Sequence, residues 1–162
     1  MRKNSKALKV LSAQGFYRHV GKKGKIYKKE WTNNLAIVKT YDVVILSEED
    51  YFNLERQAEL WSKRGVISIL TREEKGCTVY IDGKPTDVSG FPAEKVIDAT
   101  GSGDIFTAGF AYAFRRSGKI YESSMFANAL SHLSLRVLSN RVKYTEEDVR
   151  AFLISKKIHI NI

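Results

Sequence analysis

The sequence predicts an α/β fold in which helices flank a parallel sheet, and three observations carry that prediction. Asp42-Val43-Val44-Ile45-Leu46 is a compact, β-branched apolar run, the mark of a strand covered on both faces. A helical stretch and a second apolar run, Gly65-Val66-Ile67-Ser68-Ile69-Leu70, follow it, so the order is strand, helix, strand. Further on, Asp98-Ala99-Thr100-Gly101-Ser102-Gly103-Asp104 passes from a glycine-rich turn straight into an apolar helix.

The totals fit one domain, residues 1–162, with a real core: hydrophobic content of 43% and charged content of 28% are ordinary for a soluble globular chain. No apolar run approaches the ~20 residues that span a bilayer, and the start leads into no signal-type core, so a cytoplasmic location without a membrane partner is expected. Cys77 is the only cysteine, which excludes an intrachain disulfide, and His19, His132 and His159 lack ligand spacing. The net charge of +9 gathers at Arg2, Lys3, Lys6 and Lys9, then at Lys22, Lys23, Lys25, Lys28 and Lys29, and later at Lys156 and Lys157. With no helix-turn-helix, zinc-finger or aromatic-basic signature beside it, this charge reads as a solvated basic face rather than a nucleic-acid site.

In chain order, Ala7–Ala13 reads as a short strand and Gln14–Arg18 as the loop leaving it. Gly21-Lys22-Lys23-Gly24-Lys25 is a turn or loop, with Ile26, Tyr27 and Trp31 as apolar anchors. Ser47-Glu48-Glu49-Asp50 starts a helix to about Lys63 whose apolar face is Tyr51, Leu54, Ala58 and Trp61, and Ser47 with Asp50 approximates a capping box. Cys77–Ile81 and Thr86–Val88, joined through Asp82-Gly83-Lys84, form a hairpin. Helices are expected from Asp104 to about Ser117, stopped by Gly118, from Ile120 to Ser139, and from a Thr145 cap to Ser155; Ile158–Ile162 adds a small strand or trails free. In a sheet of this kind the Leu8–Leu11 strand is an exposed edge, so association is expected, with a second copy or a separately encoded N-terminal portion.

The turn at 101–103 carries the chemistry. Glycines flanking Ser102 let successive N–H groups point into one concavity, and the following helix adds its unsatisfied first-turn N–H groups and the positive end of its dipole. A phosphoryl oxygen suits that place, and Asp104 stands beside it, where an attacking hydroxyl needs an acceptor for its proton. An aspartate between a glycine turn and an apolar helix is also an ordinary N-cap.

The stretch from Asp98 to Gly109 resembles the C-terminal signature of the PfkB, or ribokinase-like, carbohydrate kinases, D-T-x-G-A-G-D-x-F-x-A-G, with Ala99 for threonine and Ser102 for alanine. Gln14-Gly15-Phe16-Tyr17-Arg18 is similar to the D-x-Q-G-x-x-R segment, Ser47 and Asp50 stand where the family carries N-x-x-E, and Phe126-Ala127-Asn128-Ala129 resembles A-N-A-A. Thr71-Arg72-Glu73-Glu74-Lys75-Gly76 is similar to T-x-G-x-x-G, with Glu73 at the first glycine.

The resemblance implies a three-layer ribokinase-like fold, present here as its C-terminal part without the first strands and the lid. It implies an ATP-dependent phosphotransferase acting on a sugar or nucleoside hydroxyl. Asp104 would be the catalytic base, with Gly101, Ser102 and Gly103 stabilising the phosphoryl group. Thr71, Arg72, Lys75, Gly76 and Asn128 would lie by ATP, Ser47 and Asp50 would organise magnesium indirectly, and Asp98 with Thr100 would hold potassium. The alternative is an inactive nucleotide-binding or scaffold remnant, favoured by Glu73, Ser47 and Asp50.

Overall fold

The computed structural model describes residues 7–162; Arg2, Lys3 and Lys6 of the basic cluster lie outside the described residues. A five-stranded sheet runs in the order β1 (Val10–Ser12), β4 (Val43–Ser47), β5 (Ile67–Thr71), β6 (Gly76–Ile81), β7 (Lys84–Ser89). β1 pairs with β4 and β4 with β5 in parallel, Ser47 opposite Thr71. The parallel pairs therefore present the ends of β4 and β5 at one edge, where ligands bind in open α/β sheets.

The chain divides into two compact units, one of Met1–Arg72 with Thr78–Asp87 and one of Glu73–Cys77 with Val88–Ile162. In the first, Val43, Val44, Ile45 and Leu46 are all buried, as the unbroken apolar run required. Its core joins Val44, Leu46 and Leu70 to an aromatic group in which Phe16 stacks on Trp31 at 4.2 Å and Trp31 meets Trp61 edge-on at 5.7 Å. Asn34 ties the two tryptophans: its amide donates to the Trp31 carbonyl at 2.6 Å and its Oδ1 accepts from Trp61 Nε1 at 2.9 Å.

Several elements differ from expectation. β1 keeps only three residues of the expected seven. The segment after it is a single 3-10 turn, Gln14–Tyr17, followed by a two-stranded antiparallel ribbon of β2 (Arg18–Val20) and β3 (Ile26–Lys28). Each strand is only three residues long, with one charged and one apolar end, which is too short for a readable alternation, so the sequence pattern predicts a loop there. Ile26 and Tyr27, expected as anchors, are exposed; Trp31 is the anchor. The short α1 (Leu35–Val38) follows. Helix α2 is Leu54–Ser62, with its N-cap at Asn53, six residues beyond the Ser47 cap expected, because Asn53 takes a left-handed conformation (φ 55°) there.

In the second unit, α3 (Ser102–Ser117) ends as expected at Gly118, whose φ of 67° suits a left-handed stop. It packs along α4 (Ile120–Ser134), which closes five residues before the expected Ser139. The close approach needs Gly109, where a Cβ would come within 2.9 Å of Leu130. Helix α5 (Glu146–Ser155) opens with a full capping box, Thr145 with Asp148. Residues 158–162 form no strand; Ile158, Ile160 and Ile162 pack on the core of Phe91, Phe126, Val149 and Leu153, and Arg150 donates to the Ile160 and Ile162 carbonyls.

Candidate active site

The glycine turn expected to cradle a phosphate lies where α3 begins. Gly101 is its N-cap with φ 76° and ψ 5°, a left-handed residue that only glycine supplies without strain. Ser102 N–H closes the turn on the Ala99 carbonyl at 3.2 Å, and Ile105 N–H makes the first helical bond to Gly101 at 2.9 Å. Among the described residues no hydrogen bond takes the N–H of Gly101, Gly103 or Asp104. Of the 101–103 amides, Ser102 N–H is spent on the turn, while those of Gly101 and Gly103, with Asp104 next along, are open. A Cβ at Gly101 or Gly103 would meet nothing within 4 Å, so neither glycine is there to relieve packing and the turn is not filled by its own side chains. Asp104 is exposed in the first turn of the helix.

Asp98 braces the approach. Its Oδ1 accepts from Thr100 N–H and its Oδ2 from Ser139 N–H, each at 2.9 Å. Those backbone donors, Ser139 foremost and then Thr100, hold its carboxyl well below the ordinary carboxylate range. Sequence reading missed Ser139, which carries no motif. An ionised, part-exposed carboxylate with lone pairs to spare fits a potassium ion, with Asp98 as the charged donor.

In the first unit, Ser47 and Asp50 do not meet the requirements of a magnesium site. Asp50 is 7% exposed, and its Oδ2 accepts from Ser47 N–H at 2.9 Å. Burial raises its pKa, opposed by the Ser47 hydrogen bond, the Arg18 charge, a Gln14 hydrogen bond and the Lys28 charge. Ser47 Oγ accepts from Glu49 N–H at 3.3 Å. The pair therefore closes a turn at the end of β4, facing two cations, and no step is drawn through a metal held there. Gln14 and Arg18 of the earlier motif are what the pair gathers; Lys28 joins them only through the ribbon.

The stretch 71–76 straddles both units. In the first, Thr71 Oγ1 donates to the Leu46 carbonyl at 3.1 Å, and the Arg72 guanidinium lies 3.9 Å from Glu55 and hydrogen-bonds Tyr80. In the second, Glu73 adopts φ 47°, the conformation that the resembled family's glycine would supply, with its side chain exposed. Lys75 is exposed, and its carbonyl accepts from Gly90 N–H at 3.0 Å. Gly76 is buried at φ 97°, where a Cβ would lie 2.2 Å from the Val88 carbonyl oxygen. Asn128 is buried and donates to the Val88 and Ser89 carbonyls at 3.2 and 3.0 Å, so its amide holds the end of β7. Cys77 is buried, and His132 is held by its Nδ1 at 2.9 Å from the Phe91 carbonyl. Among the described residues no group of three or more His, Cys, Asp or Glu side chains is arranged to hold a metal.

The N–H groups of Gly101, Gly103 and Asp104 are thus left open at the start of α3, with the Asp104 carboxylate exposed beside them. The model of the pfkB family carbohydrate kinases matches residues 21–144, and the chain belongs to that family. A ribokinase of Arabidopsis thaliana is 40% identical over 77 residues, which is 46% of this chain and 20% of that protein. An inositol 3-kinase of Zea mays is 46% identical over 50 residues, 31% of this chain and 13% of that protein.

Among solved structures, ribokinase from Thermotoga maritima superposes with a TM-score of 0.67 at 23% identity, covering 75% of this chain and 45% of that one. Arabidopsis thaliana ribokinase, solved with ribose and ATP, gives 0.63 at 26% identity over 72% of this chain and 42% of that one. The fold is ribokinase-like, and the chain spans less than half the length of the solved relatives and a fifth or less of the curated ones.

Proposed function

We propose that this chain is the nucleotide-binding, catalytic part of an ATP-dependent phosphotransferase acting on a hydroxyl of a sugar or nucleoside. The observation that carries the reading is the set of unengaged N–H groups at Gly101, Gly103 and Asp104 beside an exposed carboxylate. Amides fixed in a turn stabilise charge on a transferring phosphoryl group without reorganising, and Asp104 orients the acceptor hydroxyl and takes its proton. Thr71, Arg72, Lys75 and Gly76 are the nucleotide-side residues of this reading. Asn128 supports them by fixing β7. Magnesium would accompany the nucleotide and neutralise phosphate charge. Asp98 and Thr100 would hold a potassium ion, which would supply fixed positive charge there. Membership of the family and the ribokinase solved with ribose and ATP support the assignment, for which a cytoplasmic place of action is proposed; no described helix is long and apolar enough to cross a membrane.

Calorimetry with Mg–ATP and acceptor-dependent ADP release test it. Asp104→Asn should leave ATP binding within about twofold and lower transfer by about 10²–10⁴-fold. An unchanged transfer rate would falsify the role of Asp104. A second reading is favoured by Glu73 and by the inward-turned Asp50: a nucleotide-binding module without turnover, which binds Mg–ATP and releases no ADP with any acceptor. Either form is proposed to associate along the open side of β1, with a separate N-terminal portion or a second copy, because an unpaired parallel strand offers its backbone to a partner. Light scattering that shows a monomer at every concentration, alone and with the N-terminal portion, removes that association.

A further inference from the structure

The β2–β3 ribbon holds six basic residues and no acidic one between residues 18 and 29: Arg18, Lys22, Lys23, Lys25, Lys28 and Lys29, against a net charge of +9 for the whole chain. All six are exposed. Composition alone suggested a solvated basic face, yet the ribbon gives this charge an apolar companion. Val20 is 66%, Ile26 57% and Tyr27 47% exposed. Register places Val20 directly opposite Ile26 and Arg18 opposite Lys28, so one face carries an aliphatic pair beside a cationic pair. Tyr27, on the other face, lies over Gly21, where a Cβ would come within 2.6 Å of its ring, and Lys25 Nζ stands 5.3 Å from the ring centroid. The ribbon is closed by the turn Lys22–Gly24.

Asp50 faces Arg18 and Lys28, so a single carboxylate offsets only part of the charge set across the ribbon, and the exposed aliphatic side chains beside it gain nothing from water. Both features become favourable against a surface that is anionic at one depth and apolar just below it. Five of the six cations are lysines, whose flexible point charges suit a diffuse layer of phosphates rather than one fixed bidentate site. A nucleic-acid backbone would reward the lysines but leave the Val20–Ile26 pair unburied, since bases are gripped by aromatic or guanidinium planes. We propose that the β2–β3 ribbon docks this protein peripherally on an anionic lipid surface, with Val20 and Ile26 entering the headgroup layer and the lysines at phosphate level. This departs from the expectation of no membrane partner and requires no spanning segment.

Co-sedimentation of the full chain with vesicles tests it, comparing pure phosphatidylcholine with a mixture containing about 30% phosphatidylserine. The chain should pellet with the anionic vesicles only and be released by salt. Replacing three lysines (Lys22→Gln, Lys23→Gln, Lys25→Gln) should weaken binding about a hundredfold. Val20→Ser with Ile26→Ser, which leaves every charge in place, should weaken it about tenfold. All five positions are exposed, and the near-ultraviolet signal of Trp31 and Trp61 verifies folding. The proposal is overturned by equal binding to neutral vesicles, by no binding to anionic ones, or by anionic binding that ignores Val20→Ser with Ile26→Ser. Binding of a short single-stranded RNA that vesicles do not compete away also overturns it, in favour of a nucleic-acid partner.

Discussion

Gly76 and Gly90 are built against each other: a Cβ on Gly90 would come within 2.3 Å of the Gly76 nitrogen, and one on Gly76 within 2.4 Å of the Gly90 nitrogen. The crossing joins the start of β6 to the chain leaving β7, and Gly90 N–H donating to the Lys75 carbonyl fixes its register. Gly76 is also left-handed at φ 97°, so two independent demands fall on one residue.

Gly76→Ala should therefore cost about 3 kcal/mol or more, from positive φ and from a backbone clash that cannot relax. Gly24→Ala isolates the first demand, since Gly24 has φ 74° and nothing within 4 Å; it should cost about 1 kcal/mol. Chemical denaturation of both variants checks the difference, and equal losses would show that the crossing carries no strain.

Gly103→Ala separates folding from ligand binding at the cradle. Nothing lies within 4 Å of the added Cβ and the residue is helical without positive φ, so the variant should be unchanged or about 0.5–1 kcal/mol more stable. A phosphate would meet that same methyl, so Mg–ATP affinity should fall by about tenfold or more. A stable variant with undiminished affinity removes the phosphate from this turn.

Asn34→Ala should leave the buried Trp61 N–H without an acceptor and cost about 1–3 kcal/mol. Trp31 and Trp61 are the only two tryptophans, so their fluorescence reports the change directly. An unaltered emission and midpoint would mean that another group satisfies the indole.

Acid should weaken the second unit in two windows. Burial lowers the His132 pKa below its ordinary 6.5, only partly offset by the Phe91 carbonyl, with the Arg136 and Lys156 charges lowering it further. The folded value is thus the smaller one: this contribution is complete above about pH 6.5 and is lost as pH falls from there through the folded value. Asp98 behaves likewise from its ordinary 3.8 downward, because Ser139 and Thr100 N–H groups favour its charged form. His132→Gln should flatten the first window only, and Asp98→Asn the second only. Unfolding midpoints followed from about pH 8 to about pH 2 check both; a profile that neither variant alters would sink the assignment.

Where one residue's pattern was enough, the sequence was readable. Val43–Leu46 had to be a doubly covered strand, Gly118 had to stop α3, and Thr145 with Asp148 had to open α5. The glycine turn was equally legible, because Gly101 needs a positive φ that its neighbours could not take. What escaped depended on partners far along the chain. Ser139 reaches Asp98 from forty-one residues away, Asn128 reaches Val88 from forty, and the ribbon exists only through pairing of two three-residue strands. The start of α2 failed for a local reason: Ser47 and Asp50 do close a hydrogen-bonded turn, but Asn53 in the left-handed region begins the helix.

Glu73 already follows the path that a glycine would trace, so contour and chemistry are decoupled at that position. Any L-residue placed there must take the same left-handed turn, so a substitution changes the charge of the loop while its path still carries the strain of a positive φ.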